Sequence, residues 1–240
     1  MSQFAFEPTA VSAQAGQPLL ALSLMRPSVP RIITWITLAL SALLIAACAG
    51  PPVPTATPDD YEGTALNGPA VDLRLVDQNG ATVALSDFRG RVVVLTFFDS
   101  QCREVCPLTA SHLRAASQAL GSDASSVVFL GINVNVEANT VTDVAATTQK
   151  WRLNELPTWH FLTGRAEELK PVWDAYGIAV IPASEAGEDL QHTPGIYLID
   201  RTGNKRWYIS TPYDEAGQPQ WTAPLSELLV KHIRELLSGG

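Results

Sequence analysis

Cys102 and Cys106, four residues apart in Phe97-Phe98-Asp99-Ser100-Gln101-Cys102-Arg103-Glu104-Val105-Cys106-Pro107, are the residues of this chain best suited to chemistry. At that spacing two sulfurs meet across one helical turn, either as a disulfide or around one soft metal ion. The run leaves the apolar stretch Val92–Phe98, which reads as a strand, and enters Leu108–Leu120, which reads as a helix. Backbone N–H groups at a helix N-terminus stabilise anions, so thiols placed there ionise more readily. Arg103 would add to that effect and Glu104 oppose it. The structural alternatives are a disulfide that only staples the fold, or two buried thiols that meet without function.

A metal site on this pair needs a further ligand, and the chain has four histidines. His112 follows Cys106 by six residues, about 600° round a helix, and so faces away from the thiols. His160 sits in an apolar strand pattern and is expected to pack in the core. His232 lies beside Lys231 and Arg234 on the closing helix and is expected on a solvated face. His192 follows the polar stretch Ser184–Gln191 and directly precedes the strand-like Ile196–Asp200. Loops at sheet edges are where reactive groups are placed, so His192 is either a functional imidazole or a solvated loop residue.

The third cysteine belongs to an address. Ile32 to Ala47 is an uncharged run flanked on its N-terminal side by Arg26 and Arg31, and Ala46-Ala47-Cys48 closes it. A bilayer span needs about 20 apolar residues, so this run is short for one and matches the layout of a secretory signal. Leu44-Ile45-Ala46-Ala47-Cys48 resembles a bacterial lipobox, in which the cysteine is lipidated and becomes the mature N-terminus. Residues 1–47 are therefore expected to be a lipoprotein signal peptide, with Met25 a more ordinary start. Residues 48–66, with four prolines among the ten that follow Cys48, are expected to be an extended tether. The domain is expected over 67–240, on the extracytoplasmic face of a bacterial cell membrane.

The elements that position the thiols alternate. Val71–Leu75 and Ala81–Leu85 flank the turn Asp77-Gln78-Asn79-Gly80 and predict an N-terminal β-hairpin. Val92–Phe98 and Val127–Val134 are continuous apolar runs, as in strands covered on both faces. Val141–Leu153 and Ala166–Tyr176 read as helices, the second containing Pro171, with the short strand Trp159–Leu162 between them. Ile196–Asp200 and Arg206–Ser210 predict an antiparallel pair. After Pro224, the stripe Leu225, Leu228, Leu229, Ile233 and Leu236 predicts a closing helix. The fold class is α/β, with a mixed central sheet and helices on both faces. A net charge of −8, without clustered Lys or Arg, excludes generic nucleic-acid binding.

Asp87-Phe88-Arg89-Gly90-Arg91, Cys102-x-x-x-Cys106-Pro107, Phe161-Leu162-Thr163-Gly164 and His192-Thr193…Tyr197-Leu198-Ile199-Asp200 occur in the order seen in the Sco/SenC family, which this chain resembles over about 67–240. The resemblance implies a thioredoxin-like fold. It also implies a copper ion held by Cys102, Cys106 and His192, and copper delivery to a membrane acceptor such as a cytochrome c oxidase subunit or another copper or thiol protein. Two thiolates and one imidazole form a soft, three-coordinate set suited to Cu(I), whereas structural zinc takes four ligands. Both methionines, Met1 and Met25, precede Cys48, which excludes a methionine-based copper site from the processed chain.

The chain departs from the family in two places. Asn135-Val136-Glu137-Ala138-Asn139-Thr140 stands where the family commonly has Asp-Pro…Asp-Thr, and Arg103 replaces a common proline between the cysteines. Pro194 stands where thiol–disulfide members of the wider thioredoxin group carry a site-shaping cis-proline. The same cysteines could therefore serve a thiol–disulfide oxidoreductase, in which Cys102 attacks and Cys106 resolves without metal. A peroxidase of the peroxiredoxin type would want Thr or Ser at position 103.

Overall fold

The structure is a computed structural model of the 240-residue chain and describes residues 63–183, 189–211 and 224–239. These belong to one compact unit, Thr55–Gly240. The signal segment, Cys48 and nearly all of the expected tether lie outside the described residues.

The central sheet has six strands in the order β1-β10-β9-β4-β5-β6. In chain order these are β1 (Thr64–Pro69), β4 (Val92–Phe98), β5 (Val127–Asn133), β6 (Trp159–Leu162), β9 (Ile196–Ile199) and β10 (Asn204–Ile209). β4 pairs parallel with β5, and β5 with β6, while β9 runs antiparallel to both β4 and β10. The sheet is therefore mixed, as expected, and the short hairpin β2 (Arg74–Val76) and β3 (Thr82–Ala84) stands as a separate pair.

Every residue of β4 and β5 is buried, because both faces of the sheet are covered. On one side Val92, Val94, Phe98, Val127 and Phe129 pack beneath α1 (Val105–Leu120) and α4 (Leu225–Ser238), and α2 (Val141–Lys150) adds Val144 to the same core. On the other, Val93, Leu95, Phe97, Leu130 and Ile132 pack with Leu169 and Trp173 of α3 (Ala166–Ala175). Side chains alternate across a strand, so one apolar run feeds two cores. Each fully buried large apolar side chain contributes about 1.5–3 kcal/mol of transfer free energy.

Several elements differ from the expectations. β1 begins at Thr64, inside the stretch expected to be tether. Its sequence, with Gly68 and Pro69, carries no strand pattern, and its backbone is ordered by antiparallel pairing with β10. α1 begins at Val105 and so takes Cys106 into its first turn. His232 is buried, not solvated: with Leu229, Ile233 and Leu236 it falls on the inward stripe of α4, where its ring stacks on Trp207 at 3.9 Å and Nδ1 meets Glu235 at 2.8 Å. His160 is partly exposed instead of sealed in the core, and is held by Asp77 at 3.0 Å.

The topology converges on one end of the sheet. β5 is parallel to β4 and ends beside it, with Phe98 opposite Asn133. β9 is antiparallel to β4, so it begins where β4 ends, with Thr96 opposite Ile196. The residues after Phe98, after Asn133 and before Ile196 therefore meet at that edge.

Candidate functional site

Cys102 lies in the loop after β4, half-buried, and Cys106 is buried as the second residue of α1. The Cys102 N–H donates to the Asp99 carbonyl at 3.1 Å, and the Cys106 N–H points at the Cys102 sulfur at 3.4 Å. Both thiols are free. The Cys106 thiol donates to the Cys102 sulfur and, with the backbone N–H groups of Cys106 and Glu104, outweighs burial and the Asp99 charge, bringing the Cys102 pKa down to about 6. Arg103, expected to contribute, is exposed and plays no part in this lowering. The same hydrogen bond, with burial and the Cys102 charge, pushes Cys106 well above the ordinary thiol value. The pair thus divides into an accessible thiolate and a buried thiol.

His192 reaches the pair on a ribbon that its sequence did not announce. β7 (Val180–Ile181) and β8 (Gln191–His192) pair antiparallel, with His192 opposite Val180. Two further bonds, Thr193 N–H to Ala179 C=O and Ala179 N–H to the Thr193 hydroxyl, both 3.0 Å, extend the clamp. Nε2 of His192 then stands 3.9 Å from Sγ of Cys106. Nδ1 lies 3.1 Å from the Thr193 carbonyl, which can only accept, so Nδ1 carries the hydrogen and Nε2 presents its lone pair to the sulfur. Burial lowers the His192 pKa and keeps the ring neutral near pH 7. Such an anchored tautomer is what a ligating imidazole requires.

Pro194 lines the same cleft as Cys106 and His192, which has room for about one water-sized guest (≈ 20 Å³). There is no cis peptide among the described residues, so the cis-proline alternative does not apply and Pro194 is trans. Its carbonyl accepts the Tyr208 hydroxyl at 2.8 Å, and the Thr96 hydroxyl donates to the next carbonyl, Gly195, at 3.1 Å. His112 is on α1, where burial lowers its pKa, and His160 and His232 are engaged elsewhere.

Beneath the cysteine loop is a polar network that the sequence reading did not assign. The Asp99 carboxylate accepts from the Gln101 N–H at 2.8 Å and from Asn135 Nδ2 at 2.7 Å. The Ser100 hydroxyl donates to the Ala138 carbonyl at 2.7 Å, and the Ser100 carbonyl accepts from Thr147 at 2.7 Å. Asn133 Nδ2 donates to the carbonyls of Asn135 and Ala138 at 3.0 and 2.9 Å. Asn135, noted in the sequence only as a departure from the family, is thus wired to the loop that carries Cys102. The available signal was Asp99 itself, a charged residue closing an unbroken apolar strand run.

Among the described residues no three His, Cys, Asp or Glu side chains converge as a finished metal cage. The donors nonetheless suit a soft ion, since Cys106 and His192 line one cleft and the Cys102 sulfur lies 3.4 Å from the Cys106 N–H. The arrangement also suits thiol exchange, with a half-buried nucleophile and a buried partner.

A family model described as SCO1/SenC matches residues 66–224. The chain is 23% identical over 190 residues to the SCO1 protein homolog of Bacillus subtilis, covering 77% of this chain and 93% of that protein. A SCO1/SenC family lipoprotein from Bacillus anthracis superposes with a TM-score of 0.60 at 20% identity, covering 72% of this chain and 98% of that one. Bradyrhizobium japonicum ScoI, solved with copper bound, superposes with a TM-score of 0.53 at 25% identity, over 70% of this chain and 98% of that one.

Proposed function

This chain belongs to the SCO1/SenC family, and from that membership we propose that it is a copper-binding metallochaperone whose cargo is held by Cys102, Cys106 and His192. The observation that carries the reading is the approach of His192 Nε2 to Cys106 Sγ at 3.9 Å, with Nδ1 tied back to the Thr193 carbonyl. Disulfide exchange has no need of that imidazole, whereas a three-coordinate Cu(I) site does. The copper-bound ScoI of Bradyrhizobium japonicum, at 25% identity, supports copper as the cargo.

Loading draws on the asymmetry of the thiols. Cys102 meets the ion as a thiolate, and Cys106 gives up its proton on binding, because metal ligation requires the deprotonated sulfur. Cys102, the accessible ligand, is the first to be exchanged for a donor on the acceptor, so the ion leaves by ligand exchange without ever being free. The acceptor is a membrane protein such as a cytochrome c oxidase subunit. The chaperone meets it on the extracytoplasmic face of the cell membrane, tethered by a lipid on Cys48.

A competition titration of the reduced full chain with a Cu(I) chelator tests the reading. Tight one-equivalent binding that weakens at least tenfold in His192→Ala is expected. Absence of such binding, or indifference to His192, refutes it. The second reading, a thiol–disulfide oxidoreductase, is favoured by one observation, the Cys102 pKa of about 6 beside a buried Cys106. It is rejected if the metal-free protein turns over no disulfide substrate.

A further inference from the structure

Among the described residues β6 is an outer strand of the six-stranded sheet, with β5 as its neighbour. The Phe129 N–H donates to the Thr158 carbonyl at 3.0 Å, so with this register Thr158, His160 and Leu162 turn their backbone groups toward β5. Trp159 and Phe161 turn theirs outward. Such an outward row of N–H and C=O groups is a template for a further strand. Here it is filled by a side chain from the turn between β2 and β3. Gln78 Nε2 donates to the Trp159 carbonyl at 3.1 Å, and Gln78 Oε1 accepts the Phe161 N–H at 2.7 Å. A carboxamide carries the donor and the acceptor of a peptide group, so Gln78 meets β6 as a peptide unit of a neighbouring strand would. The reverse orientation would set N–H against N–H and C=O against C=O. Next along the edge, Val76 and Thr163 exchange two backbone hydrogen bonds, at 3.0 and 2.7 Å. The turn that presents Gln78 is itself braced. The buried Asp77 carboxylate accepts the N–H groups of Asn79 and Ala81, each at 2.9 Å, and meets His160 Nδ1 on β6 at 3.0 Å.

We propose that Gln78 stands in for an absent strand: its amide closes the outer edge of β6 and keeps the sheet from adding the β6 of a second copy. The strand has no guard of its own. Trp159-His160-Phe161-Leu162 contains no proline, lysine or acidic residue, the usual means by which an edge is blunted, whereas the other outer strand, β1, ends on Pro69. A second copy is the natural occupant of an uncovered β6. Trp159 and Phe161 each present an N–H and a C=O to the same side, so two copies related by a two-fold axis can satisfy one another in antiparallel register. Gln78 takes one acceptor and one donor from the middle of that row, and no second strand can pair there while the amide is in place. The inference rests neither on copper nor on the cysteines.

The test compares the full chain with Gln78→Ala and Gln78→Met, all reduced and held in detergent micelles in excess over protein. Gln78→Met keeps the length of the side chain and makes neither hydrogen bond. Amide exchange at low concentration reads the edge: protection of the Phe161 N–H is expected to fall about tenfold in both variants, while Leu130 at the centre of the sheet changes less than about twofold. Sedimentation equilibrium reads the consequence, a dimer fraction at least about threefold above that of the parent chain at equal concentration. As concentration rises, the Phe161 N–H of the variants is expected to regain protection, because the partner strand now covers it. Unchanged Phe161 protection in both variants overturns the inference, since the amide would then not be the cover. Exposure of Phe161 without added association overturns it too, as does association that leaves Phe161 exposed. Loss of protection at Leu130 equal to that at Phe161 in both variants would show that Gln78 holds the whole fold and not the edge, which also overturns it. The Cu(I) titration of His192→Ala reads a different part of the molecule, so either claim can fail alone.

Discussion

The ionisation of Cys102 gives the sharpest check on the site, and Cys106→Ala is the perturbation that isolates its cause. A thiol at about 6 is about 90% thiolate at pH 7 and about 10% at pH 5, so alkylation of Cys102 in the reduced, metal-free protein rises through a midpoint near pH 6. The Cys106 thiol is the largest contributor to that value, ahead of the N–H groups of Cys106 and Glu104. Removing it moves the midpoint upward, toward the ordinary 9.0. The rate at neutral pH is a poor readout. A thiol restored fully to 9.0 would be only about 1% thiolate at pH 7, but a more basic thiolate is also more nucleophilic, with a Brønsted slope of about 0.4–0.5. The two effects nearly cancel, leaving alkylation only a few-fold slower. The assay is therefore iodoacetamide labelling from pH 4 to 10, with Cys102 quantified by mass spectrometry. A parent midpoint above 8 refutes the assigned geometry. A midpoint that stays near 6 in Cys106→Ala refutes the cause, since the helix N–H groups alone would then hold the thiolate.

Further outcomes follow from the same structure. The reduced protein gains stability as pH rises from about 6 to 9, because unfolded Cys102 keeps its proton up to 9.0 and the unfolded state binds more protons throughout that window. That gain is lost as pH falls through 6, and denaturant titrations of Cys102→Ser will show a flatter profile. Below pH 6.5 stability declines further, since burial lowers the pKa of His192 and of His112 and the unfolded chain protonates first; His192→Ala reduces this slope. Gly195→Ala costs about 1–3 kcal/mol in chemical denaturation, because a Cβ there would overlap the Tyr208 ring that supports Pro194. A cost below 0.5 kcal/mol would show that the ring moves aside freely. Cys48→Ser abolishes lipid labelling and membrane retention in cells; a variant still processed and retained would remove the lipid anchor from the proposal.

The working cysteines were legible because their meaning is local. Cys102 and Cys106 lie four apart at a strand-to-helix corner, and both the corner and the spacing are written in consecutive residues. Strands β4 and β5 were legible because burial on both faces leaves a nearly continuous apolar run. β1 was not, since its order comes from hydrogen bonds to β10, more than a hundred residues away. His232 was misplaced because its charged neighbours outweighed its periodicity, although positions 229, 232, 233 and 236 form one inward stripe. His192 could be nominated from sequence but not placed, because its position depends on the two-residue pairing of β8 with β7.

By itself the sequence determined the chemistry available, two thiols at a helix entrance with one loop imidazole, and the alternation that builds a mixed sheet. Only the tertiary structure decided which thiol carries the charge, which imidazole nitrogen faces Cys106, and that Asp99 and Asn135 hold the loop beneath. The physical reason is that composition and period act between neighbours along the chain. Ionisation, tautomer and field are set instead by atoms a few ångströms apart in space, here brought together because β5 and β9 meet β4 at the same end.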